Sequence, residues 1–93
     1  MVKLSNRMYF VYILFSRSLH KFYVGQTSNV IKRLDSHNSG LSKWTKKGIP
    51  WMLVYKIHCD SRKEAIILEK KIKKRGAFRY LNDQNIFTEF INN

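Results

Sequence analysis

The sequence predicts an α+β fold, a small, mostly antiparallel three-stranded sheet flanked by helices in the order β-β-α-β-α-α. Three observations carry this expectation. Runs rich in β-branched and aromatic residues at 9–15, 22–25 and 50–55 read as strands. Two stretches with helically spaced apolar residues, each opened by capping side chains, follow the second and third of these runs. The chain has 93 residues, enough for one domain that buries roughly 60% of its unfolded surface, which excludes multidomain enzymes and dinucleotide-binding folds.

The run at 9–15 is continuous rather than alternating, as in a strand covered on both faces. Polar residues 16–21 form a turn, and the shorter strand 22–25 completes a hairpin, with Gly25 ending it through its backbone freedom. Thr27, Ser28 and Asn29 cap a helix over 30–39, with Val30, Ile31 and Leu34 as its buried stripe and Gly40 at its end. A basic loop over 41–48 leads to the third strand, with Pro50 at its permitted first position. Ser61 and Glu64 form a capping box for a helix over 62–75, where Ala65, Leu68 and Ile72 fall at helical spacing. Gly76 breaks it, and 78–90 is expected to hold one or two short helices returning aromatics to the core. The segment 76–93 is thus a C-terminal helical extension of a single domain over 1–93.

Eighteen Lys and Arg against six Asp and Glu give a formal net charge of +12. A field of one sign attracts polyanions, nucleic acid foremost, although a lysine-rich solvated or ribosome-associated surface would have the same composition. At 44% hydrophobic and 14% aromatic residues the chain is expected to fold despite its charge. The single cysteine, Cys59, cannot form an internal disulfide and suits a reducing, cytoplasmic setting. His58 and Cys59 have no companions at zinc-ligand spacing. The basic start and apolar stretch 8–15 imitate a secretory leader, but the stretch is short and runs into Ser16-Arg17 without a small-residue cleavage site. No run is long enough to span a membrane, so no membrane partner is expected.

Four features fit an ordinary packed domain poorly. Arg33 and His37 stand four apart on the first helix, as a solvated face or as a functional pair. Glu69 falls at about +40° on a wheel with Ala65 at zero, inside the apolar arc, where a carboxylate needs a metal or a cation such as Lys73 at i+4. Tyr12 and Tyr23 occupy the two hairpin strands, as core or as site residues. Lys70, Lys71, Lys73, Lys74 and Arg75 form a basic run that is either a solvated helix face or the seat of an anionic partner. Lys43, Lys46 and Lys47 make the loop basic as well, and Trp44 within it is either a base-stacking platform or core.

In order, Tyr12, Tyr23-Val24-Gly25, Arg33, His37 and the later Glu69 resemble the GIY-YIG endonuclease superfamily. The first signature reads Phe10-Val11-Tyr12, without its glycine and with Val for Ile, as in many small stand-alone members. Residues 37–40, then Lys43, Thr45, Gly48 and Pro50-Trp51, are also similar to such members, and the likeness extends over 9–75. The superfamily includes the N-terminal incision domain of an excinuclease, which this chain also resembles. The resemblance implies metal-dependent hydrolysis of DNA phosphodiesters. Glu69 would hold one divalent cation, Mg²⁺ or Mn²⁺, and Tyr23 would be the general base, its phenol needing nearby positive charge. Arg33 would clamp the scissile phosphate, with Tyr12 and His37 positioning water or phosphate. Lys43, Lys46, Lys47, Lys70, Lys71, Lys73 and Lys74 would bind the nucleic acid, a branched, flapped or damaged duplex among the options. Where some members carry lysine three residues after the second tyrosine, this chain has Gln26, and Asn82 or Asn85 could stand for the family's late asparagine. The alternatives are a catalytically silent nucleic-acid-binding module and a basic protein-interaction domain.

Overall fold

The computed structural model describes residues 8–86. Strands β1 (Tyr9–Ser16) and β2 (Lys21–Thr27) form a hairpin, followed by helix α1 (Val30–Asn38), a 3₁₀ turn (Lys46–Gly48), strand β3 (Trp51–Cys59) and helices α2 (Arg62–Arg75) and α3 (Ala77–Asp83). The sheet order is β2-β1-β3, and both pairings are antiparallel. The expected α+β order therefore holds, with every strand pair antiparallel. No helix among the described residues is long and apolar enough to cross a membrane.

Central β1 is buried on both faces, which is why its sequence is apolar without alternation. Val11 and Ile13 join Val24 against Ala65, Ile72, Tyr80 and Leu81, so α2 and α3 cover one side of the sheet. Tyr12 and Leu14 point the other way, onto Trp51, Leu34 and Tyr23 beneath α1. The β1–β3 register slips between Ile13 and Leu14, leaving Val54 as an extra residue on β3. This bulge lets the neighbours Val54 and Tyr55 both pack against the first core. Strands β2 and β3 are longer than the runs that announced them, because pairing with β1 continues into polar residues. Pro50 consequently lies just before β3 rather than in it.

Capping follows the sequence closely. The Asn29 side chain accepts from Lys32 N at 3.0 Å, and Ser61 Oγ accepts from Glu64 N at 3.1 Å while Glu64 reaches back to Asp60 N at 3.2 Å. The α1 stripe is different from the one expected. Ile31 is 74% exposed, and the inward side is Val30, Leu34 and His37, the i, i+4, i+7 row of that helix. At Gly76, φ is +94°, and Arg75 turns the corner by holding both Asp83 oxygens, at 2.8 and 3.0 Å. Helix α3 buries Tyr80, bonded to the Tyr55 hydroxyl at 3.0 Å, but leaves Phe78 exposed. Residues 84–86 of the predicted 78–90 helical segment leave the helix in a turn, and 87–90, with Phe87 and Phe90, lie outside the described residues.

Gly25 does not end β2, which runs on to Thr27. Its requirement is space: a Cβ there would lie 2.5 Å from Tyr12 Oη and 2.7 Å from Cζ, since Gly25 faces Tyr12 across the ladder. Replacing it by alanine is expected to cost about 1–3 kcal/mol, as overpacking against a fixed ring does, read as a lowered urea midpoint. Asn38 locks α1 to β3 with two bonds to one backbone unit, accepting from Trp51 N at 2.6 Å and donating to Trp51 O at 3.1 Å. Asn38→Ala is expected to lower stability by about 1–3 kcal/mol in the same measurement, because it strands a buried amide.

Candidate active site

Tyr12, His37 and Thr45 form a buried hydrogen-bond chain. Tyr12 Oη lies 3.1 Å from His37 Nε2, and His37 Nδ1 lies 2.7 Å from Thr45 Oγ1. Thr45 Oγ1 itself donates to Ser42 O at 3.4 Å, so it accepts from Nδ1–H, and Nε2 accepts the Tyr12 proton. Burial, with the Arg33 charge second, lowers the His37 pKa and keeps the ring neutral, consistent with that tautomer. Burial pushes the Tyr12 phenol well above its ordinary value, and the neighbouring Tyr23 adds to this. Arg33 opposes it through its charge and a side-chain hydrogen bond to the phenol. Tyr12 thus stays protonated, between His37 and Arg33.

The i, i+4 spacing predicts one shared helix face for Arg33 and His37, yet His37 is 2% exposed while Arg33 is exposed. The Tyr12 hydroxyl is what connects them. With both ring nitrogens engaged and the ring out of water, His37 has no free nitrogen to offer a substrate. Tyr23 packs over His37 with ring centroids 4.8 Å apart and also meets Tyr12 and Trp51, each at 6.2 Å.

Glu69 leans from α2 onto the free edge of β2. Its side chain is 18% exposed; Gln26 Nε2 donates to Oε1 at 3.1 Å, and Lys73 Nζ sits 2.7 Å from Oε2. The i+4 ion pair anticipated for an acid in the apolar arc is therefore present, with Gln26 as a second, unanticipated partner. Lys73 also lines a cleft of about 330 Å³ with Phe22, Tyr23 and Val24. On the other side of Gln26, a cleft of about 300 Å³ is lined by Arg33, Arg62, Tyr9 and Thr27. Gln26 thus stands between the carboxylate and the two guanidinium groups.

The donor set fits a single hard divalent ion. Among the described residues no three His, Cys, Asp or Glu side chains could share a metal, so a site built on Glu69 would leave most positions to water. Magnesium-sized ions accept that arrangement because they keep most of their water. Lys73, 55% exposed and flexible, already places a cation on the carboxylate and can swing away from it.

Of the lysines expected at a nucleic-acid face, Lys43, Lys46 and Lys47 are exposed on the loop, as are Lys70, Lys71 and Lys74 on α2, whereas Lys73 is turned to Glu69. Trp44 is 92% exposed and so is not core. Asn82 and Asn85 sit at exposed positions at the end of α3, Asn85 with φ of 60°. Sequence reading assigns no role to Thr45, Arg62 or the Gln26–Glu69 bond. The signal for the last is present in the chain: Gln26 shares the inward register of Val24 on β2, facing the helix that carries Glu69.

A family model described as the GIY-YIG catalytic domain matches residues 8–82. A UPF0213 protein of Bacillus licheniformis is 33% identical over 84 residues, spanning 86% of this chain and 84% of that protein. A UPF0213 protein of Staphylococcus haemolyticus is 38% identical over 66 residues (70% of this chain, 79% of that one). UPF0213 protein YsiG of Lactococcus lactis is 39% identical over 81 residues, covering 81% and 77% of the two chains. The match spans every strand and nearly all of the three helices, including Tyr12, Tyr23, Arg33, His37 and Glu69, and the chain belongs to the GIY-YIG catalytic domain family.

Proposed function

We propose that this chain is a metal-dependent endonuclease that hydrolyses DNA phosphodiester bonds, nicking one strand with structure-selective or low sequence specificity, in repair or recombination. The observation that most supports this is the Glu69–Lys73 pair held against β2 by Gln26, with Lys73 and Tyr23 lining one cleft and Gln26, Arg33 and Arg62 lining another. That is a carboxylate for a cation next to guanidinium groups for a phosphate, on a surface of net charge +12.

Glu69 would hold Mg²⁺, or Mn²⁺ in its place, with water at the other positions. When bound, the ion supplies charge stabilisation at the leaving oxygen. The remaining work falls to side chains. Water attacks phosphorus, the bond to the leaving oxygen breaks, and the water's proton must be accepted. Tyr23, which lines the cleft, is the general base for that proton, directly or through its phenolate. Arg33 grips the phosphate oxygens, bringing positive charge to where negative charge grows in the transition state. Tyr12 and His37 are positioning residues: His37 fixes the Tyr12 hydroxyl, on which the Arg33 charge acts. Lys43, Lys46, Lys47, Lys70, Lys71 and Lys74 bind the phosphate backbone on either side.

With supercoiled plasmid and Mg²⁺, nicking by the wild type and its loss in Glu69→Ala is the expected result, with binding in EDTA changed less than twofold. Binding without cutting by the wild type in both Mg²⁺ and Mn²⁺ would instead leave a catalytically silent nucleic-acid-binding module. Replacing Lys70, Lys71 and Lys74 by glutamine, with Lys73 kept for Glu69, is expected to weaken duplex binding irrespective of sequence. The slope of log K against log salt should fall by up to about 2.7, roughly 0.9 per lost phosphate contact, and an unchanged slope would remove α2 from the DNA face.

A further inference from the structure

The loop between α1 and β3 carries chemistry that the hydrolytic site does not use. Trp44 is 92% exposed and Leu41 is 79% exposed, leaving a large aromatic surface in water at the molecule's periphery. Lys43, Lys46 and Lys47 share the loop with it, all exposed, and no acidic residue occurs between Asp35 and Asp60.

The tip is held from beneath. Thr45 N donates to Ser42 O at 3.2 Å, which closes a turn with Lys43 and Trp44 as its two central residues. Thr45 is 1% exposed, bonded to His37 through its hydroxyl, and its carbonyl accepts from Trp51 Nε1 at 2.7 Å. The residue after Trp44 is therefore anchored to the same histidine that positions Tyr12. A platform ordered in the free protein loses little further freedom on binding.

Charge selects the occupant. An exposed aromatic ring on a loop that carries three exposed lysines and no acid matches a nucleobase flanked by phosphates, and base–aromatic stacking is indifferent to base identity. In an intact duplex each base face is already covered by its neighbours, and an indole reaches a base only where pairing is interrupted.

We infer that Trp44 is a stacking platform for an unpaired base, so that the loop 41–47 favours DNA with a single-stranded flap, gap or branch over fully paired duplex. This deepens the nuclease reading and depends on it only for nucleic acid being the substrate. The test is binding in EDTA, without cleavage, of a flapped duplex and its fully paired counterpart by wild type, Trp44→Ala and Trp44→Phe. Trp44→Ala should weaken flap binding about tenfold and paired-duplex binding less than twofold, with Trp44→Phe close to wild type. Trp44 and Trp51 are the chain's two tryptophans, so emission quenched by the flapped DNA in wild type should be lost in Trp44→Phe, which retains Trp51. Equal loss on both DNAs, or no loss on either, with an unchanged melting temperature, would overturn the platform while leaving the nuclease intact. A wild type that binds neither DNA would overturn both readings.

Discussion

The buried chain from Tyr12 through His37 to Thr45 is the interaction on which the rest of the structure depends. It ties the central strand to α1, 25 residues on, and α1 to the loop that follows it, through Thr45 eight residues after His37. Each polar group in it is out of water, where a missing partner costs about 1–3 kcal/mol, so the three segments are stable only when assembled together. Among the described residues, no buried side-chain nitrogen or oxygen is without a hydrogen-bond partner. The glycine opposite Tyr12, the asparagine beside His37 and the indole nitrogen on the Thr45 carbonyl all serve this junction.

Around the junction, the edge strand β2 divides the chemistry between its two sides. Tyr23 and Gly25 turn towards the phenol–imidazole chain, while Val24 and Gln26 turn towards α2 and Glu69. The alternation of a single strand thus places an aromatic hydroxyl and a supported carboxylate on opposite faces of one exposed edge. Unlike central β1, β2 has a side without a neighbouring strand, and its residues line both clefts. Access and support come from different faces of the same seven residues.

Much of this is legible in the chain. The continuous apolar run of β1, the capping residues Asn29 and Ser61, and the acid inside the α2 stripe each follow from local periodicity. What sequence reading misses depends on contacts between distant segments. Ile31 reads as inward because it is apolar, but its place is taken by His37, a polar residue whose burial makes sense only once Tyr12 and Thr45 are both in position. Gly25 suggests a bend, whereas the cause is a ring on the neighbouring strand. Trp44 cannot be assigned from its type, since only the finished loop determines that its neighbour Thr45 goes in and it goes out. The basic run on α2 reads as uniform, and its geometry separates Lys73, paired with Glu69, from Lys70, Lys71 and Lys74, for which no ion pair is seen among the described residues.

The division of β2 between two faces also limits how the chain can change in length. One residue gained or lost between Tyr23 and Gln26 would put the two on the same face, unless a bulge like that at Val54 absorbed it, even if every residue type were retained. The turn at 17–20 is exposed throughout, and a residue added there leaves the alternation within β2 itself unchanged. Evolutionary drift in this hairpin is thus confined by counting rather than by chemistry: its turn is free to lengthen, and its second strand is not.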